Sequence, residues 1–280
     1  MSETIDFREP VGRPAHLLAL RVSAKRLPGV IVHFARSVFE RLLGFTQFNA
    51  IYHQLPCCDA AEFPQAYLDA ISVKVEWDGQ PADSIPATEA LIVVSNHPYG
   101  LIEAMAIDSL ILSRRGDTTA MASWLFQAIP EIRDRSISVG SRGSRRHRER
   151  SVRGWRETFQ WLKKGGSLLI FPGSRVSRFH WRSLSIKDES WSAHVGGLAR
   201  RTGAPVLPFY IYGRNSWLFQ LAGALSPTLQ DFLVIREATN KRGWKLRGTI
   251  GKIIPPESIA ACSSDEEAIA LLRRETEKLA

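Results

Sequence analysis

The amino-acid sequence predicts an α/β domain: a single domain with a mixed, mostly parallel sheet flanked by helices, plus an N-terminal helical annex. Three observations carry that expectation. Short apolar runs of strand length recur along the chain, among them 91–94, 168–171 and 205–212. Longer segments lie between them, with apolar residues returning every three or four positions, which is the helical period. Strands alternating with helices build a mostly parallel or mixed sheet. The 280 residues are 44% hydrophobic and 23% charged, without repeats or low-complexity tracts. That balance excludes a disordered or fibrous chain.

Taken in order, residues 1–28 contain Pro10, Pro14 and Pro28 and little periodicity, so they read as an irregular arm. Over 30–45, Ile31, Phe34, Val38, Leu42 and Phe45 form one stripe, with Arg36 and Arg41 elsewhere on the wheel. This amphipathic helix either packs on the core or lies on a membrane surface. Arm and helix together make an annex over 1–70, and the α/β domain proper is expected over 71–280. Strands are expected at 73–77, 91–95, 119–122, 137–139, 168–171, 206–212 and 246–254, and helices at 101–113, 149–164 and 190–201. The last helix opens on Ser264-Asp265-Glu266-Glu267, a capping box in which serine and glutamate satisfy each other's end donors.

The net charge is +9, with a pI near 9.8, so an anionic partner is expected: nucleic acid, anionic lipid or an acidic carrier. The basic run from Arg142 to Arg150 lacks interleaved aromatics, which makes nucleic acid the least expected of the three. Three cysteines, two of them adjacent and none in a CxxC pair, suit a reduced cytosolic compartment. No run approaches the roughly 20 apolar residues that span a bilayer, and the acidic N-terminus lacks the apolar core of a secretory signal. The absence of GxSxG, GxxxxGK[ST], GxGxxG and HExxH argues against serine hydrolases, P-loop kinases, dinucleotide enzymes and zincins.

Chemistry concentrates after the strand Leu91-Ile92-Val93-Val94-Ser95, where Asn96-His97-Pro98-Tyr99-Gly100 breaks the chain. In open α/β sheets, sites gather beyond the carboxyl ends of strands. Glu103 opens the following helix, and a loop across Pro98 to Gly100 can fold the His97 imidazole back onto its carboxylate. A histidine held by a carboxylate is a general base. The spacing alone is uninformative, because His53 and Asp59 repeat it. Only the strand-Asn-His-Pro-x-Gly context separates the pairs, and His53 reads as structural. A second candidate is Phe171-Pro172-Gly173-Ser174-Arg175, a strand ending in a turn whose N–H groups and arginine suit an anion.

Together these blocks resemble the glycerolipid (lysophospholipid) acyltransferase superfamily, of the 1-acylglycerol-3-phosphate acyltransferase type, and among its branches the bacterial hemolysin-like and lyso-ornithine-lipid acyltransferases. The resemblance runs from about residue 43 to 255. It rests on Asn96 to Glu103, Ile129 to Asp134, Phe171 to Ser177, and Leu198 to Pro208 with Gly213-Arg214-Asn215-Ser216. It implies an acyl transfer without an acyl-enzyme and without a cofactor, the donor being acyl-CoA or acyl carrier protein. His97 would deprotonate the hydroxyl of a lysolipid acceptor, and Glu103 would orient it. Asn96, Arg142, Gly173, Ser174 and Arg175 would bind substrate, and Pro208 would belong to a pocket-lining strand. Trp181 and Trp191 are the tryptophans placed to line an acyl path. Attachment would be peripheral, on the cytoplasmic face of an anionic membrane. The chain departs from the family where Gly173-Ser174-Arg175 replaces the usual acidic residue, and a phosphate or carboxylate head suits Arg175 better than an amine. The rival reading is a lipid-binding homologue whose altered third block prevents chemistry.

Overall fold

The computed structural model describes residues 17–18, 29–56, 59–123, 126–138 and 145–280. In chain order they form α1 (Gly29–Leu42), α2 (Phe45–Gln54), α3 (Phe63–Ala70), β1 (Lys74–Gly79), β2 (Leu91–Ser95), α4 (Ile102–Leu112) and β3 (Thr118–Ala122). Next come α5 (Pro130–Arg133), β4 (Ser136–Ser138), α6 (Arg145–Lys163), β5 (Ser167–Ile170), β6 (Arg178–His180), β7 (Ser185–Lys187) and α7 (Ala193–Thr202). The chain closes with β8 (Val206–Ile211), α8 (Trp217–Leu225), α9 (Pro227–Thr239), β9 (Lys245–Ile250), α10 (Pro256–Ala260) and α11 (Asp265–Glu277).

Seven strands form one sheet in the order β1-β9-β8-β2-β5-β3-β4. β8, β2, β5, β3 and β4 run parallel, β9 pairs antiparallel with β8, and β1 lies parallel to β9. This is the mostly parallel, helix-flanked sheet that the alternating pattern predicts. The continuous apolar runs of β2, β5 and β8 are the central strands, because strands covered on both faces need apolar residues at every position. Successive side chains on β2 go to opposite faces. Leu91 and Val93 join a cluster with α2, α3 and α4, while Ile92 and Val94 join one with α6, α7 and α11. Each such residue contributes about 1.5–3 kcal/mol by leaving water. Residues 45–70 therefore share an apolar core with the sheet.

Several boundaries differ from expectation. The helix expected over 30–45 stops at Leu42 and restarts at Phe45. The break is at Gly44, where φ is +78° and a Cβ would press on the Arg236 backbone at 2.6 Å. The apolar stripe of α1 is not packed away: Phe34, Val38 and Leu42 are exposed. The strand expected to 254 ends at Ile250 and leaves one bridge, Ile254 to Val206. At the last helix Ser264 Oγ accepts the Glu267 N–H at 3.1 Å, but the Glu267 carboxylate takes the N–H of Ser263. Helices α2, α3, α5, α8, α9 and α10 and the antiparallel hairpin β6–β7 were not anticipated. The arm over 1–28 falls almost wholly outside the described residues, as do the side chains of the basic run up to Arg148. Among the described residues, no helix is long and apolar enough to cross a membrane.

Candidate active site

The parallel order places the carboxyl ends of β8, β2 and β5 side by side, and the turns leaving them meet around His97. The turn after β2 folds back on the helix it precedes. Glu103, in the first turn of α4, is fully buried. Its Oε1 accepts the N–H groups of Tyr99 and Gly100, each at 2.8 Å. Gly100 has φ +107°, and a Cβ there would meet Val234 Cγ1 at 2.7 Å, so the turn needs glycine.

The same Glu103 Oε1 lies 3.1 Å from His97 Nδ1. The contact is at ion-pair distance but off the hydrogen-bond line, since neither His97 Nδ1 nor Glu103 Oε2 makes a hydrogen bond. Catalytic hydrogen bonds are often misaligned before substrate arrives and tighten once it binds. The imidazole stacks on Phe171, centroids 4.0 Å apart and 24° between planes, and is 14% exposed. It is thus fixed by a carboxylate and an aromatic face while keeping an edge toward solvent.

The turn after β5 is held by Asp188, which sequence reasoning missed. This buried carboxylate accepts the His97 N–H at 3.2 Å, the Ser177 hydroxyl, and the Trp191 indole N–H at 3.1 Å. Ser177 in turn donates its N–H to the His97 carbonyl at 2.7 Å. A Cβ on Gly173 would reach Asp188 Cβ at 3.3 Å, so the turn sits tightly against this residue. Ser174 is exposed with φ +61°. Arg175 Nη2 is 3.6 Å from Asp231 on α9, while its Nη1 is buried without a partner. Burial pushes the Asp231 carboxyl up, against the downward pull of Arg175.

The turn after β8 completes the wall. Asn215 Nδ2 donates to the Tyr99 carbonyl at 2.9 Å, and the Tyr99 hydroxyl donates to the Tyr212 carbonyl at 3.0 Å. Burial pushes the Tyr99 phenol up to about 12, and the Glu103 charge adds to the shift. Ser216 caps α8 and gives its N–H and hydroxyl to Glu237, which also receives the buried Lys241 ammonium at 2.8 Å.

The structure therefore brings His97, Glu103 and the 171–177 turn together. Asn96 is next to them, but both ends of its amide are used on Ile211: Nδ2 donates to the carbonyl at 2.8 Å, and Oδ1 accepts the N–H at 2.7 Å. It extends the β2–β8 ladder by one side chain. Arg175 is turned toward α9. Arg142 lies outside the described residues. His53 sits on α2, edge-on to Tyr52. Trp191 packs beside Asp188, and Trp181 stands exposed on the β6–β7 hairpin. No local signal marks Asp188, whose link to His97 spans 91 residues. Asn215 and Tyr99 were visible within their blocks but showed no bonding role.

No family model and no curated protein matches the chain. Among solved structures it is similar to the 1-acyl-sn-glycerophosphate (LPA) acyltransferase PlsC from Thermotoga maritima. The TM-score is 0.50 and the identity 21%, over 90% of this chain and 88% of that one. The likeness shows a shared α/β fold.

Proposed function

We propose that this chain is an O-acyltransferase that moves a fatty acyl group from a thioester, acyl-CoA or acyl carrier protein, to a hydroxyl of a lysolipid. The observation that carries the reading is the His97–Glu103 contact: a partly exposed imidazole 3.1 Å from a fully buried carboxylate, at the carboxyl end of a central parallel strand. The shared fold with a lysophosphatidic acid acyltransferase supports it.

In this mechanism Glu103 holds Nδ1, and Nε2 takes the proton of the acceptor hydroxyl as its oxygen attacks the thioester carbon. The tetrahedral intermediate collapses with cleavage of the C–S bond. The imidazolium returns its proton to the departing thiolate, so an ester and a thiol leave and the enzyme is restored. These steps need no cofactor. Phe171 keeps the imidazole in plane, and Arg175, with a buried Nη1 lacking a partner, supplies the donor for an anionic head such as a phosphate. The exposed stripe of α1 and the excess of basic residues suit peripheral attachment to an anionic membrane.

His97→Ala should lower acceptor-dependent turnover by about two to four decades with the fold intact by circular dichroism. Near-wild-type acylation by that variant would remove the general base. Vesicle binding without acyl transfer across all donor and acceptor pairings would favour a lipid-binding homologue.

A further inference from the structure

A cavity of about 440 Å³ opens beside the β8–α8 turn, lined by Tyr99, Arg214, Asn215, Trp217, Lys241 and Trp244 among others. His97, Phe171 and Arg175 do not line it, while Tyr99 and Asn215 also belong to the wall beside His97. Its polar groups divide into committed and free. Lys241 is committed to Glu237 at 2.8 Å. Arg214 is exposed, its guanidinium lying over the Trp217 ring at 4.8 Å, and among the described residues it pairs with no carboxylate. Asn215 is 2% exposed. Its Nδ2 is fixed by the Tyr99 carbonyl, which leaves Oδ1 buried with no hydrogen-bond partner. One free cation, one buried acceptor and two indoles suit an anionic head that also carries a hydroxyl or ammonium donor.

The cavity adjoins an apolar surface. Past Trp217, the outer face of α8 presents Leu218, Leu221 and Leu225, which are 50%, 53% and 83% exposed, while Phe219 and Ala222 are buried beneath. The β6–β7 hairpin is tied to this helix by Arg178 Nη1 donating to the Gly223 carbonyl at 3.4 Å. It adds Trp181 and Leu184, 64% and 76% exposed. Exposed Arg182 and Lys187 flank these apolar groups. Leucines bordered by tryptophan and by cations complement an anionic bilayer, where indoles sit at the headgroup level and basic residues meet phosphates.

We propose that α8 and the hairpin dock the chain on an anionic bilayer, with the leucines among the acyl chains and one anionic phospholipid head in the Arg214–Asn215 cavity. The phosphate is held by Arg214, and a head-group donor satisfies Asn215 Oδ1. The docking requires no turnover, so it stands or falls separately from the acyl-transfer reading.

The test is sedimentation of the full chain with vesicles of phosphatidylcholine alone and of phosphatidylcholine mixed with phosphatidylglycerol. Wild type should prefer the mixed vesicles. Arg214→Gln should weaken binding to mixed vesicles about fivefold and leave neutral ones unchanged. Leu221→Glu with Leu225→Glu should lose about tenfold or more on both kinds. In parallel, brominated phospholipid should quench wild-type fluorescence more than that of Trp217→Phe, a readout that does not depend on the leucine variant folding. Unchanged vesicle binding in both sets of variants overturns the proposal. So does a leucine variant that turns a dimer into a monomer without affecting vesicles, which would make α8 a protein interface.

Discussion

Three turns leave the adjacent strands β8, β2 and β5, but the one carrying His97 is held differently from the two beside it. The turn after β2 is closed by its own helix: Glu103 accepts the N–H groups of Tyr99 and Gly100 and lies against His97, all within seven residues. The flanking turns are fastened from elsewhere. Asp188 holds the turn after β5 from beyond the hairpin and reaches across to the His97 N–H, and Glu237 with Lys241 holds the turn after β8 from the end of α9. The carboxylate that orients the base thus comes from the adjoining helix, whereas the backbone of His97 and the walls that shape the substrate space depend on long-range buried polar contacts. Altering the walls should act on stability first, and altering the centre on turnover first.

The largest effect on stability is expected at Glu237. Glu237→Gln leaves the buried Lys241 ammonium without its counter-charge, which should cost about 3 kcal/mol in urea unfolding. The same residue gives a pH signature. Burial pushes the Glu237 carboxyl up, but the Lys241 and Ser216 hydrogen bonds outweigh it and hold it below its ordinary 4.5. A depressed carboxylate contributes stability that is complete above pH 4.5 and is lost as pH falls through the folded-state value. Wild-type stability should therefore decline in that acid window, and Glu237→Gln should flatten the decline. An unchanged acid limb would show that the pair does not hold this turn.

Glu103→Gln comes next and acts on rate. Glutamine still accepts from the Tyr99 and Gly100 N–H groups, so the melting temperature should move little. Turnover should fall by about 10- to 100-fold, because the charge that stabilises the imidazolium is gone. An equal loss of stability and rate would mean that Glu103 only shapes the loop. The smallest of the three is Asp188→Asn. It retains an acceptor for the Ser177 hydroxyl but weakens charge-assisted bonds, for an expected loss of about 1–2 kcal/mol. Acceptor KM should rise more than turnover falls. A turnover defect matching that of Glu103→Gln would end the distinction between wall and centre.

The same division explains what could be read from the sequence. The strands of the main sheet were legible because buried parallel strands are written as uninterrupted apolar runs, and β2, β5 and β8 are such runs. The His97–Glu103 pair was legible because strand, turn and helix adjoin in the chain. Asp188 was not, because the contact that ties it to the site, with His97, spans 91 residues, and its nearer partners Ser177 and Trp191 carry no pattern that marks an acceptor between them. Nor was the role of Asn96, whose amide pairs with Ile211 at a separation of 115. α8, Trp-Leu-Phe-Gln-Leu-Ala-Gly-Ala-Leu, hides its period because both faces are apolar, one toward the core and one outward. α9 was announced by Ser226-Pro227, a cap followed by proline at the first helical position, a signal the apolar pattern overshadowed. The three-residue strands of the hairpin are too short to show alternation.

The most direct test of the central claim is to quantify thiol released and ester formed in one reaction, with acyl-CoA or acyl carrier protein as donor and a lysolipid bearing a phosphate head as acceptor. Acyl transfer predicts equal amounts of both, dependent on acceptor and abolished in His97→Ala. Thiol release without ester would make the chain a thioester hydrolase, and no release with any pairing would contradict an acyltransferase built around His97 and Glu103.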